Sequence, residues 1–149
     1  MFFRVNALVA SLMFTASANV SACGPTTILS TETGNQRIEL IIDDNKIAKA
    51  PAWTPVMGEP PISLSKASAI ALAWAKNHYK RFDSVVLREI VLAEYPSCSG
   101  NSERWYYRFE FVPIIEDNRV YGSGNWAALL MDGTMLAPTT KSKTPKQGK

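Results

Sequence analysis

The clearest pattern of apolar and polar positions in the chain lies between residues 63 and 81. This stretch is rich in alanine, and the residues that share one face of a 3.6-residue repeat are Ala67, Ile70, Ala71, Trp74 and His78. Ser63 is a good helix N-cap, and the two prolines just ahead of it prevent the helix from extending backwards. The pattern predicts one long helix whose alanine face can lie close to a sheet.

A clean alternation follows between residues 104 and 112. One face of this predicted strand is aromatic and carries Trp105, Tyr107, Phe109 and Phe111. The opposite face carries Tyr106, Arg108 and Glu110. Four buried aromatic side chains would supply a large part of a hydrophobic core. We expect the aromatic face to pack against the helix.

The remaining pattern mostly favours strands. Strand composition occurs at residues 37–43, 84–95, 126–131 and 134–137, and an Asp-Gly turn joins the last two. Residues 46–50 are expected to return from the first strand as the second arm of a hairpin. Residues 113–125 are expected to be irregular. Together these segments predict the α+β class, with one long helix packed on a four- or five-stranded antiparallel sheet.

The ends of the chain differ in composition from this single α+β domain, which we expect to span residues 37–140. Residues 1–22 resemble a signal peptide, with a positive start at Arg4, an apolar stretch and then small residues. Residues 23–36 are small and threonine-rich, which predicts a flexible arm. Residues 141–149 hold four lysines and no apolar residue, which predicts a disordered tail. The protein is therefore expected to be exported, to the periplasm or the medium.

The two cysteines allow two alternatives. An exported chain meets an oxidising compartment, so Cys23 can form a disulfide with Cys98. Residues 20–23, Val-Ser-Ala-Cys, also resemble the bacterial lipobox, in which the cysteine is lipidated and becomes the new N-terminus. Cys23 cannot serve both purposes, and lipidation would leave Cys98 as an odd thiol. The protein is thus expected to be either disulfide-bonded or anchored by lipid to a bacterial envelope membrane.

The charge distribution argues against a nucleic-acid partner. Thirteen acidic and eleven basic residues lie between residues 23 and 140, so the domain is mildly acidic although the whole chain carries a net charge of +3. A nucleic-acid partner requires a basic surface, so none is expected. We expect a contact with the membrane only through lipid on Cys23.

Three segments carry a resemblance to a known family. They are the Ile62-Ser63 start of the helix, the aromatic strand, and the closing sequence Leu130-Met131-Asp132-Gly133-Thr134. In this order, between residues 61 and 138, the chain resembles a PepSY-like domain. The resemblance implies an exported, non-catalytic module that binds or restrains proteases or other envelope proteins, and it supplies no catalytic residues. The predicted N-terminal hairpin and residues 113–125 depart from the family pattern.

Few residues suggest catalysis, a metal or a cofactor. His78 is the only histidine, so a metal site would have to be built from carboxylates, and none is expected. Ser123 lies in a Gly-Ser-Gly sequence but lacks the G-x-S-x-G context of a hydrolase nucleophile. We therefore expect a protein that is not an enzyme and holds no cofactor. The alternatives are a small envelope hydrolase that uses His78, and a purely structural lipoprotein.

Four residues are the candidates for contact with a partner, because tryptophan, tyrosine and arginine dominate interface energetics. They are Trp53, Arg119, Tyr121 and Trp126. Trp53 lies in a proline-rich segment and could instead close one end of the core. The same alternative applies to Tyr121 and Trp126, which could complete the core.

Overall fold

The computed structural model describes residues 24–96 and 103–143, which form two antiparallel sheets and two α-helices, one of them long. The elements in chain order are β1 (Thr26–Thr33), β2 (Gln36–Ile42), α1 (Asp44–Lys49), a 3₁₀ turn (Pro55–Met57), α2 (Leu64–His78), β3 (Ser84–Glu94), β4 (Trp105–Ile115), β5 (Asn118–Arg119), β6 (Trp126–Leu130), β7 (Met135–Leu136) and β8 (Thr139–Ser142). Within these described residues, no helix is long and apolar enough to cross a bilayer.

The larger sheet has the strand order β3-β4-β6-β7, and β5 pairs with the end of β4 beside β6. β3 and β4 pair along their whole length, and the register shifts once between Leu87 and Glu89, where Arg88 forms a bulge. β4 is the central strand. Because β3 occupies one edge of β4, strands β5 and β6 share the other edge.

Helix α2 packs on one face of this five-stranded sheet. Ala67, Ala71 and Ala75 are fully buried on the helix, and the aromatic side chains beneath them are at most 2% exposed: Tyr107, Phe109 and Phe111. The Lys66 amide donates to the Ser63 hydroxyl at 3.4 Å, which caps the helix. The predicted helix and its packing on the aromatic face are confirmed.

A second, three-stranded sheet with the order β1-β2-β8 lies on the opposite face of the larger sheet. Leu40 and Ile42 of β2 are fully buried, and so are Ala128 and Leu130 on the face of the larger sheet that the helix does not cover. The α+β class, with a long helix on an antiparallel sheet, is confirmed. The second sheet was not predicted.

Two predicted disordered segments contribute strands to this second sheet. The prediction of a flexible arm over residues 23–36 is wrong for β1, where Ile28 and Leu29 are partly buried. The predicted disordered tail begins too early, because β8 extends through residues 141 and 142. Both strands are poor in apolar residues, and pairing with β2 stabilises them: β1 through a two-residue hairpin turn, and β8 from a distant part of the chain.

Two local predictions are also wrong. Residues 46–50 do not return as a strand, because α1 begins at Asp44 and its N-cap Asp43 accepts a hydrogen bond from the Asn45 amide at 2.8 Å. Residues 113–125 are not wholly irregular, because β4 continues to Ile115 and turns directly into β5. The predicted strands β3, β6 and β7 are confirmed.

Candidate functional site

Trp53 closes one end of the core. Its side chain is 5% exposed, and its indole Nε1 donates to the carbonyl of Gly58 at 3.2 Å. Its ring stands edge-on to Trp105, with 5.9 Å between centroids, and its amide donates to the Glu103 carbonyl at 2.8 Å. Trp53 is therefore part of the core and is not presented to a partner, which is the alternative that the sequence left open.

Trp126 borders a surface recess on the face of the larger sheet opposite the helix. The recess has a volume of about 160 Å³ and is lined by Leu29, Glu89, Arg108, Glu110 and Trp126. Trp126 pairs with Glu110 across the two strands, so both side chains point to this face. Leu29 reaches the recess from β1, which makes this the place where the two sheets separate. We call it the Trp126 recess.

The floor of the Trp126 recess is charged but balanced. Arg88 pairs with Glu110 at 2.9 Å, and Arg108 pairs with Glu89 at 3.4 Å. Arg88 and Glu89 are more than half exposed, so each pair contributes at most about 1 kcal/mol to stability. The floor therefore offers charges of both signs to a partner without a net charge of its own.

Arg119 lies on β5 and Tyr121 two residues after it, and neither of them lines the recess. Arg119 pairs with Ile114, four positions along β4 from Glu110, so it lies about 13 Å from Trp126 and on the same face of the sheet. It is exposed and forms no ion pair with the described residues. Tyr121 is 64% exposed. Neither side chain completes the core.

The loop between β5 and β6 is held in place by the second sheet. The Ser123 hydroxyl is hydrogen bonded to the Thr33 hydroxyl at 2.7 Å. Gly124 has a φ of +91° and lies so close to Ile38 that a Cβ would come within 2.9 Å of two of its side-chain carbons. The glycine is required by both the backbone conformation and this contact. The loop that carries Tyr121 is thus anchored at its far end.

The four predicted contact residues do not form one surface. Trp53 packs at the start of β4, and Arg119 pairs at its end, so about 30 Å separates them. Arg119 and Trp126 share one face of the larger sheet, Tyr121 follows β5 in the loop, and Trp53 lies elsewhere. The sequence missed the other lining residues of the recess: Leu29, Glu89, Arg108 and Glu110. The sequence carried a signal for two of these residues, because Arg108 and Glu110 lie on the polar face of the alternating strand.

His78 lies at the end of α2 and is exposed. Its ring stacks on Trp74 with 4.5 Å between centroids, and partial burial lowers the pKa of the imidazole. No serine or carboxylate in the described part of the chain hydrogen bonds to it, and no three metal-ligating side chains cluster there. Among the described residues, His78 therefore contacts aromatic rings and is not part of a hydrogen-bonded catalytic group.

Cys23 and Cys98 lie outside the described residues, so neither the predicted disulfide nor the alternative lipidation can be compared with the structure. No known protein family, curated protein or solved structure matches this chain.

Proposed function

We propose that the protein is an exported, non-catalytic binding or inhibitory module of PepSY-like type, whose partner is a protein of the cell envelope. The contact surface consists of Arg119, Tyr121 and Trp126. The observation that carries the proposal is that Tyr121 is 64% exposed and follows, two residues later in the sequence, an exposed arginine that forms no ion pair with a described acidic residue. Large amphipathic side chains of this kind supply most of the energy of protein interfaces.

The loop is suited to binding because its conformation is already fixed. Its hydrogen bond from Ser123 to Thr33 and the contact of Gly124 with Ile38 attach it to the second sheet. A loop held in one conformation loses less entropy on association than a free one. The exposed Tyr121 is thus carried on a rigid scaffold.

The export proposal can be extended to the cysteines. The Thr26 hydroxyl is hydrogen bonded to the Tyr95 hydroxyl at 2.8 Å. Cys23 and Cys98 each lie three residues from this pair in sequence, and three residues of extended chain reach about 10 Å. A Cys23–Cys98 disulfide is compatible with this reach, and it is the first of the two alternatives that we propose. Intact mass separates the two alternatives, since a disulfide removes two hydrogens whereas lipidation adds several hundred daltons.

The proposal is tested by affinity capture from envelope extract. Immobilised wild-type protein should retain a partner, and the Tyr121→Ala and Arg119→Ala variants should each retain at least about tenfold less. Lys49→Ala is the matched control, because it removes an exposed charge from α1, at the other end of the larger sheet. Equal capture by wild type and both variants would exclude this surface.

The hydrolase alternative is tested with His78→Gln in the same preparation. A binding module keeps its partner after this change. A loss of hydrolytic turnover toward envelope extract, with capture of the partner unchanged, would favour the hydrolase instead.

A further inference from the structure

The outer edge of β1 is unpaired. β1 is the first strand of the three-stranded sheet, and only β2 pairs with it among the described residues. No backbone hydrogen bond from the rest of the described chain reaches its outer side. From Leu29 to Thr33 the register with β2 is regular, because the bulge lies before Leu29. This part of β1 therefore presents free main-chain donors and acceptors in strand geometry.

The hairpin turn identifies which groups face outward. β1 and β2 are joined by the two-residue turn Gly34-Asn35, and Thr33 pairs with Gln36 next to it. The pair that closes a two-residue hairpin exchanges both hydrogen bonds, and the pattern then alternates along the strand. Thr33 and Thr31 therefore bond to β2. The N–H and C=O groups of Ser30 and Glu32 point away from it.

Beside this edge the described residues form a floor but no cover. Leu29 stands over the Trp126 recess, whose floor is the polar face of β3 and β4. The same face is fully buried further along, at Ala128 and Leu130, where the second sheet covers it. Val86 and Val91 of β3 are only half-buried. One further strand beside β1 would complete the second sheet over this floor.

The other sheet edges are less suitable for pairing. β3 has a bulge at Arg88 in its centre, which twists an edge away from regular pairing. β7 has only two residues and is followed by Pro138. β8 carries Lys141, and lysine on an edge strand opposes the addition of another strand. β1 contains neither lysine nor proline.

We propose that an extended segment of the partner protein adds to the outer edge of β1 as a fourth strand and lies across the Trp126 recess. The segment is recognised by main-chain hydrogen bonds at Ser30 and Glu32 and by a side chain that enters the recess beside Trp126 and Leu29. The charges on the floor, of both signs, accommodate polar side chains at the positions that face them. The proposal rests on the proposed function and specifies how the partner binds.

The test uses phage-displayed random dodecapeptides selected on the wild-type protein. Ser30→Pro removes an outward N–H without breaking a main-chain bond to β2, and Ser30→Ala is the matched control because it likewise removes the hydroxyl that accepts a hydrogen bond from Arg37 Nε but keeps the N–H. Selected peptides should bind wild type and Ser30→Ala equally and Ser30→Pro at least about tenfold more weakly. Bound peptide should also slow amide hydrogen exchange at Ser30 and Glu32 in the wild type.

The outcomes separate this proposal from the proposed function. Peptides that lose affinity for Tyr121→Ala but not for Ser30→Pro, and that leave exchange at Ser30 unchanged, would overturn strand addition and leave the contact surface in place. If no selected peptide binds more weakly to Ser30→Pro or to Tyr121→Ala, both strand addition and the proposed contact surface are overturned. A dimer of the protein alone that Ser30→Pro dissociates would assign the edge to a second copy and likewise overturn the proposal. The exchange measurement decides the question even if Ser30→Pro does not fold.

Discussion

The two ends of β4 differ in how they use their aromatic side chains. At the start of the strand, Trp53 is pinned by a hydrogen bond to Gly58 and packs edge-on against Trp105. At the far end, the exposed Tyr121 follows β5, which pairs with Ile114. We call these the Trp53 end and the Tyr121 end. The comparison shows that an aromatic residue in an irregular segment is available to a partner only when its own surroundings leave it exposed.

Backbone strain follows the same division. The described residues other than glycine with positive φ are Glu116 at +47° and Asp117 at +60°, and both lie at the Tyr121 end. At the Trp53 end the positive φ angles belong to Gly58 and Gly133, for which they cost little. Strained backbone tends to be retained where it serves binding or catalysis. The distribution of strain thus agrees with a contact surface at the Tyr121 end.

The largest expected contrast is between Trp53→Ala and Tyr121→Ala. Removal of the buried indole should lower the free energy of unfolding by about 3 kcal/mol, because it leaves a cavity beside Trp105. Removal of the exposed Tyr121 ring should change it by less than about 0.5 kcal/mol. Urea denaturation followed by circular dichroism measures both. Similar losses for the two variants would contradict the division between the ends.

The second prediction concerns Tyr79, which covers the Tyr121 end from the helix side and packs on Phe111 at 6.0 Å between centroids. Burial raises the pKa of Tyr79 to about 12. Above pH 10 the unfolded chain loses this proton while the folded chain keeps it, so stability is complete below pH 10 and falls as the pH rises toward 12. The loss should be about 1.4 kcal/mol for each pH unit over that range.

Tyr79→Phe removes this ionisable proton. Between pH 10 and 12 the free energy of unfolding should then fall less steeply with pH, by the amount that corresponds to about one bound proton. Tyr121→Phe is the control, since it removes the hydroxyl of an exposed tyrosine and leaves the buried Tyr79 in place. An unchanged slope for Tyr79→Phe would show that this phenol is hydrated in the folded protein.

The third prediction tests how the Tyr121 loop is attached. Gly124→Ala should cost about 2 kcal/mol, because alanine opposes a φ of +91° and its Cβ would collide with Ile38. Gly122→Ala is the matched control two residues earlier, where the nearest atom to a Cβ is Asn125 Nδ2 at an ordinary 3.5 Å. Urea denaturation should therefore separate the two alanine variants. Equal stability would mean that the loop does not depend on its contact with β2.

These regions also show what periodicity can and cannot predict. The α2 repeat and the alternation in β4 are long and regular, so their buried faces were predicted correctly. β1 and β8 hold few apolar residues and become strands only through pairing with β2, about 100 residues from β8 in sequence. The composition of a single segment does not indicate which other strand it will pair with. The Trp126 recess was missed for the same reason, because Leu29 meets Arg108 only when the second sheet forms.

The smallest expected effect concerns the strained turn itself. Glu116 and Asp117 are the central residues of the two-residue turn between β4 and β5, and both have positive φ, which favours Asn-Gly at these positions. The double substitution Glu116→Asn/Asp117→Gly should raise the free energy of unfolding by about 1 kcal/mol in urea denaturation. Glu116→Ala/Asp117→Ala is the control that removes the same charges without relieving strain, and it should not stabilise. If the Asn-Gly variant is more stable but captures less partner, the strained turn contributes to the contact surface. If neither double variant changes the amount of partner captured, the turn lies outside the contact surface, and the Tyr121 end begins closer to Tyr121.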